Sequence, residues 1–346
     1  MTLRRSAIVK DQTGQNIDVS AEDRLIARHF RPLATHPGAF GLVDDAAAIA
    51  PPVGCDIVLK ADAIIGGVHF FPDDPADLVA KKALRVNLSD LAAKGADPLG
   101  FLLSLALPAG TDDAWLALFA SGLGADAERY NCPLFGGDTD RTPGPIMISI
   151  AAFGAVPHGK MVRRSGAKPG DRIVVTGTIG DASLGLAMRR DPVAHERWRL
   201  DRLAREHLTA RYLVPEPRNA IAHVLRDHAS AAMDISDGLA GDLAKLCRAS
   251  GVAAEIEVEK VPLSDGARTA LAVEPTLIEP ILTGGDDYEV LATVAAGKLA
   301  ALQRAASAAG VTVTEIGSVV EGDGQARFFD RSRRQLVFQR LSYSHF

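Results

Sequence analysis

The chain has 346 residues, of which 47% are hydrophobic and 23% charged, and its 38 Lys plus Arg against 43 Asp plus Glu leave a formal net charge of −5. That length exceeds what one hydrophobic core usually serves, so two domains are expected. The acidic balance offers no electrostatic footprint for nucleic acid or an anionic membrane.

Cys55, Cys132 and Cys247 are too scattered for a disulfide framework or a paired metal spacing, and read as buried free thiols. Arg4 and Arg5 are followed closely by Lys10, Asp11 and Gln12, which leaves no apolar run for a signal peptide. No later stretch approaches the length of a membrane span, so the cytoplasm is the default compartment.

The first element follows Ser20, which can cap a helix with Glu22 and Asp23 in its first turn and Leu25, Ile26 and Phe30 on its apolar face. Cys55 to Asp62 mixes β-branched residues into an apolar run and predicts a strand. A long helix is predicted from Pro75 to about Lys94, stopped by Gly95. Strands are expected over Leu99 to Leu107 and Ile146 to Val156, with a helix from about Asp112 to Tyr130 between them. Turn chemistry at Ala167 to Asp171 precedes a strand at Arg172 to Thr176, so a second folding unit begins near residues 155 to 165. Beyond it, helices are expected near Arg218 to His228, Gly238 to Ser250 and Ala296 to Ala309, and strands near Ala253 to Val258, Glu289 to Val294 and Thr312 to Val320. Both halves therefore read as α/β.

The informative feature is a series of acidic residues set among Gly, Ser, Thr and Asn. They are Asp44-Asp45, Asp62, Asn87-Leu88-Ser89-Asp90, Gly136-Gly137-Asp138-Thr139-Asp140, Asp234-Ile235-Ser236-Asp237-Gly238 and Gly284-Gly285-Asp286-Asp287-Tyr288-Glu289. Hard cations such as Mg²⁺ take oxygen ligands and keep several waters, so a few carboxylates plus substrate phosphates make a typical site. The Asp234 segment reads as a strand end running into a helix, whose N-terminus presents free amides to an anion. Any one such Asp is more often a turn or a cap. Six together point to phosphate with metal. Asp90 is set apart by lying late in a helix between apolar Leu88 and Leu91, where a solvated face and a buried ligand role compete evenly.

Other templates fail. Gly154 to Lys160 imitates a phosphate loop, but Met161 stands where Ser or Thr must hold the metal and Pro157 removes a cradling amide. Cys132 has no evident base, and no nucleophile-and-base triad emerges.

In order along the chain, these motifs resemble the thiamine-monophosphate kinase family, of the superfamily that also holds aminoimidazole ribonucleotide synthetase and selenophosphate synthetase. The most specific pieces are Val86 to Ala93, Gly95-Ala96-Asp97-Pro98, Arg164 to Asp171, Met233 to Leu239, Gly284 to Glu289 and the closing Tyr343-Ser344-His345-Phe346. The resemblance implies two α/β domains of the aminoimidazole ribonucleotide synthetase-like type. Residues 1–158 would form an ATP- and Mg-binding domain that dimerises through a barrel-like sheet, and residues 159–346 a domain that completes the active site. The implied reaction passes the γ-phosphoryl group of ATP directly to thiamine monophosphate in a homodimer, with several Mg²⁺ ions neutralising charge.

By position, the resemblance makes Asp45, Asp62, Asp90, Asp138, Asp234 and Asp237 the Mg²⁺ ligands, with Asp237 nearest the reaction centre. Gly137, Asp138, Arg164, Ser236 and, more weakly, Tyr130 would contact ATP. His69, Asp286 and Tyr343 would contact thiamine monophosphate. Three departures stand out. Lys60-Ala61-Asp62 replaces a Ser-Thr-Asp pattern and removes two hydroxyls. Leu42-Val43 replaces Ile-Gly before Asp44-Asp45. Asp286 replaces a Glu. A related synthetase with another acceptor and a nucleotide-binding protein without catalysis are the alternatives; selenophosphate synthesis is disfavoured because no reactive cysteine precedes Asp44.

Overall fold

The computed structural model describes residues 7–10 and 16–343. Arg4 and Arg5, Asp11 and Gln12, and the last three residues of the C-terminal motif lie outside the described residues. The chain divides into two compact units. One comprises the described residues up to Ala50 with Ala61–Leu84 and Leu99–Ala152; the other comprises Pro51–Lys60, Arg85–Pro98 and the described residues from Phe153 onward.

Ser20 caps the first helix as expected, its hydroxyl accepting the Asp23 amide at 2.9 Å while Asp23 reaches back to the Ser20 amide at 3.1 Å. The helix Ala21–Leu25 gives way to a wider turn at Ile26–Phe30. A four-stranded open sheet follows, in the order Cys55–Ile65, Met147–Pro157, Asp97–Pro108, Leu134–Thr142. The last two strands run parallel, with Ser104 opposite Asp138, and the helix Asp113–Arg129 connects them, as a parallel pair requires. Among the described residues no sheet closes into a barrel. The helix Ala76–Ala93 falls within the expected bounds and ends at Gly95, whose φ of +71° suits a C-terminal stop.

The second unit carries a seven-stranded sheet in the order Gln335–Leu336, Ala326–Phe329, Ala253–Glu257, Val313–Val320, Arg172–Thr176, Val290–Val294, Ala229–Asp234. It is mixed: only Ala326–Phe329 and Ala253–Glu257 pair in parallel among the registers described. Period-2 alternation separates its faces. Ile173, Val175, Met233 and Leu291 face one core with Leu184, Leu208, Leu243 and Ile281. Val174, Ala232, Val290 and Ala292 face the other with Val224, Leu225 and Leu302. The edge strand Ala229–Asp234 is covered rather than left bare. The Ala232 amide donates to the Arg163 carbonyl at 2.9 Å, and Lys94 Nζ donates to the Ala232 carbonyl at 2.8 Å.

Two expectations change. Cys132 and Cys247 are buried, and burial pushes their thiols up to about 12 and about 11; Cys55 is only partly buried, because it opens a strand next to an exposed turn. Val43 stands where the resemblance puts a Gly, a loop position that could call for unusual backbone angles, but its φ of −114° is open to any residue. The left-handed angles fall instead on Phe40, Gly41 and Leu42. The phosphate-loop imitation is a strand as far as Pro157, so its amides are not free to wrap an anion. Among the described residues no helix is long and apolar enough to cross a membrane.

Candidate active site

Three segments of the second unit converge on one acidic group. The strand Ala229–Asp234 ends on Asp234 and the helix Leu239–Ser250 starts five residues later. Gly238 makes this tight passage, with φ +113° and a position where a Cβ would lie 2.5 Å from the Thr283 carbonyl oxygen. Asp234 is 5% exposed. Its Oδ2 and the buried Ser89 Oγ make no hydrogen bond, although such groups are nearly always paired. Burial, and after it the charge of Asp90, pushes the Asp234 carboxyl well above the usual carboxylate range. The Ser89 hydroxyl and the Lys60 ammonium pull the other way, Ser89 without completing a bond of good geometry.

Asp90 therefore sits with Asp234, its side chain partly buried at 18% exposed and paired with Lys60 Nζ at 2.8 Å. Lys94 adds a second ammonium, held low by burial and raised by the charges of Asp234 and Asp90. Exposed Arg164 lies near enough for its charge to act on Lys94.

The loop after Asp234 is held from within. The buried Asp242 carboxylate accepts the Ser236 and Asp237 amides at 3.0 and 2.9 Å. Lys245 spans Asp237 and Asp242, 2.8 Å from the latter. Burial raises the Asp242 carboxyl against the pull of Lys245. The Tyr343 amide donates to the Asp237 carbonyl at 3.0 Å, which places two of the predicted residues side by side.

Asp286 is brought to the same loop. Its amide donates to the Ser236 carbonyl at 2.9 Å and the Tyr288 amide to Ile235 at 2.8 Å. Asp286 and Tyr288 adopt φ of +72° and +49°, a strain that surroundings must impose on non-glycine residues. Two buried carboxylates impose it here. Asp287 accepts the Gly180 amide at 2.9 and 3.0 Å. Glu289 accepts from Arg211, Arg218 and Thr176.

In the first unit, Asp45 is exposed in a bend and Asp62 is half-buried on the strand Cys55–Ile65. Gly137 and Asp138 lie on Leu134–Thr142, where Asp138 is exposed. Tyr130 caps the helix Asp113–Arg129 with the Arg129 guanidinium 5.1 Å from its ring centroid. His69 occupies a turn, its Nδ1 accepting the Ile65 amide at 3.0 Å and its carbonyl accepting from Lys82 at 3.0 Å.

Among the described residues no three His, Cys, Asp or Glu side chains stand close enough to hold a metal ion alone. The donor set around Asp234 still suits a hard cation: two carboxylates and a hydroxyl, two of these oxygens buried without partners, leaving water and phosphate to supply the rest. Asp242 and Lys245 were missed in the sequence, although their i, i+3 spacing directly after the Asp234 to Gly238 motif is a legible signal.

Residues 43–156 match the family model of the AIR synthase related protein, N-terminal domain, and residues 168–330 match that of the C-terminal domain. Fold and sequence thus define a two-domain α/β protein of the AIR synthase-related class. A thiamine-monophosphate kinase of Caulobacter vibrioides is 42% identical over 324 residues, covering 92% of this chain and 89% of that protein. The crystal structure of thiamine-monophosphate kinase from Stenotrophomonas maltophilia K279a matches with a TM-score of 0.78 at 36% identity, over 88% of this chain and 94% of that one. AaThiL complexed with AMPPCP and TMP matches with a TM-score of 0.73 at 30% identity, over 89% and 97%. The chain belongs to the thiamine-monophosphate kinase family.

Proposed function

We propose that this chain transfers the γ-phosphoryl group of ATP to thiamine monophosphate, forming thiamine diphosphate and ADP with Mg²⁺. The observation that carries the reading is the buried, unpartnered Oδ2 of Asp234 beside Asp90, within a chain whose relatives are kinases of this name. AaThiL is known complexed with AMPPCP and TMP, which supports a nucleotide and a thiamine phosphate as joint ligands here.

In this reading Asp45, Asp62, Asp90, Asp138, Asp234 and Asp237 are the Mg²⁺ ligands, and Asp237 stands nearest the transferred group. Gly137, Asp138, Arg164, Ser236 and Tyr130 hold ATP; His69, Asp286 and Tyr343 hold thiamine monophosphate. The metal, when bound, neutralises charge on the phosphates. The protein's own residues orient the two anions and keep Asp237 fixed through Asp242 and Lys245. Transfer between two phosphates needs positioning and charge compensation rather than a covalent intermediate, so no nucleophile is required.

The reading extends to a cytoplasmic homodimer in which the open four-stranded sheet contributes to a barrel-like sheet with a second copy. It assigns residues 1–158 to nucleotide binding and dimerisation and residues 159–346 to completing the site. Incubating the purified chain with ATP, Mg²⁺ and thiamine monophosphate is expected to yield thiamine diphosphate and ADP. Absence of both products across neutral pH and millimolar Mg²⁺ rejects the reading. ADP formation without thiamine diphosphate redirects it to another acceptor.

A further inference from the structure

The strand Cys55–Ile65 carries Lys60 to a carboxylate that the reading above gives to a metal ion. Lys60 Nζ stands 2.8 Å from Asp90 Oδ2, the two side chains being 28% and 18% exposed. Lys94 approaches the same group but spends a hydrogen bond on the Ala232 carbonyl. Two ammonium groups therefore face two carboxylates, and they differ in kind: Lys94 holds backbone, whereas Lys60 occupies a carboxylate oxygen. The oxygens left over, Asp234 Oδ2 and Ser89 Oγ, are buried without hydrogen-bond partners.

A divalent ion on Asp90 Oδ2 would sit roughly 2.0 to 2.1 Å from it. An ammonium at its present distance from the same oxygen would then stand a few ångströms from a dication inside a partly buried group, where like charges repel strongly. Ion and ammonium therefore compete for that oxygen.

We infer that Lys60 is a built-in counter-cation for Asp90, which holds the carboxylate in the metal-free protein and must be displaced when a divalent ion takes it. The inference rests on the assignment of Asp90 and Asp234 as metal ligands. Metal binding at this group is coupled to release of Lys60, which weakens the metal's apparent affinity and steadies the metal-free fold by separating two like charges.

The test titrates Mn²⁺ into the full chain without nucleotide, by calorimetry, and follows thermal unfolding with EDTA and with rising Mn²⁺. Lys60→Met and Lys60→Gln remove the charge, Lys60→Arg keeps it, and Asp234→Asn reports on the metal group itself. Both neutral variants are expected to bind Mn²⁺ about tenfold more tightly than the parent, an ordinary coupling between two ligands of one site. They are expected to unfold at a lower temperature in EDTA and to gain more from Mn²⁺, with Lys60→Arg close to the parent. Mn²⁺ binding that requires Asp234 but is equal or weaker in both neutral variants overturns the inference alone. Mn²⁺ binding that is absent throughout, or indifferent to Asp234→Asn, overturns the metal assignment and the inference with it.

Discussion

The buried carboxylate of Asp242 accepts the backbone amide of Asp237 at 2.9 Å, so the residue proposed nearest the chemistry is held by one the sequence motif does not include. The same carboxylate accepts the Ser236 amide and pairs with Lys245. Asp242→Ala leaves two amides without their acceptor and Lys245 with Asp237 alone, and is expected to cost about 3 kcal/mol in urea unfolding. Asp242→Asn retains an acceptor oxygen and should lose less. A neutral result for Asp242→Ala would show that the loop holds itself.

Asp237→Asn preserves shape while removing the charge that faces Lys245. If Asp237 holds a Mg²⁺ ion that neutralises the transferred phosphoryl group, kcat should fall at least about 100-fold, the scale of losing one transition-state stabiliser. Nucleotide affinity, measured by calorimetry, should change little. A parallel loss of affinity and turnover would mark Asp237 as a binding residue only.

Asp181 and His207 form a pH-dependent pair, Oδ2 to Nε2 at 2.9 Å. The hydrogen bond to Asp181 raises the His207 pKa against partial burial. Burial opposes the Asp181 charge, but hydrogen bonds from His207, Ser264 and Thr178 outweigh it and hold the carboxyl below its ordinary range. The raised His207 contributes stability that is full below the ordinary histidine value of about 6.5 and lost as pH climbs through the raised one. The lowered Asp181 contributes stability that is full above about 3.9 and lost as pH falls through the depressed value. Comparing urea midpoints of the parent and His207→Gln, the gap should be widest between about pH 4 and 6.5 and shrink on either side. A gap independent of pH would rule out this linkage.

Gly137 has a structural duty in addition to its proposed contact with ATP. A Cβ there would lie 1.7 Å from the Leu103 carbonyl oxygen on the neighbouring parallel strand. Gly137→Ala must part the two strands and should cost about 3 kcal/mol, with a matching fall in Tm. An unchanged Tm would mean that the strands shift freely at this register.

Much of the fold was legible because local rules and tertiary packing agree. The helix Ala76–Ala93 follows its apolar period and stops at a left-handed glycine, and Arg172–Thr176 is a β-branched run after a turn. Strand Leu134–Thr142 was not legible, and of Ala229–Asp234 only the end at Asp234 was. The first is Leu-Phe-Gly-Gly-Asp-Thr-Asp-Arg-Thr and the second Ala-Ser-Ala-Ala-Met-Asp, neither rich in β-branched residues, and pairing with neighbours makes them strands. Short helices such as Asp181–Arg190 and Arg202–Leu213 were also missed; Leu184 and Leu208 acquire their meaning only in the shared core.

Residue type and spacing by themselves determined the family and the alternation of helix and strand, and singled out the acidic segments proposed for the chemistry, because carboxylates among glycines and hydroxyls suit cations and phosphates. Only the tertiary structure decided how those charges are balanced. Lys60 read as a lost hydroxyl and emerged as the ion partner of Asp90, 30 positions along the chain, while Asp234 emerged with a buried oxygen and no hydrogen bond. Charge compensation depends on distance and burial in space, and neither is carried by the order of residues along a chain.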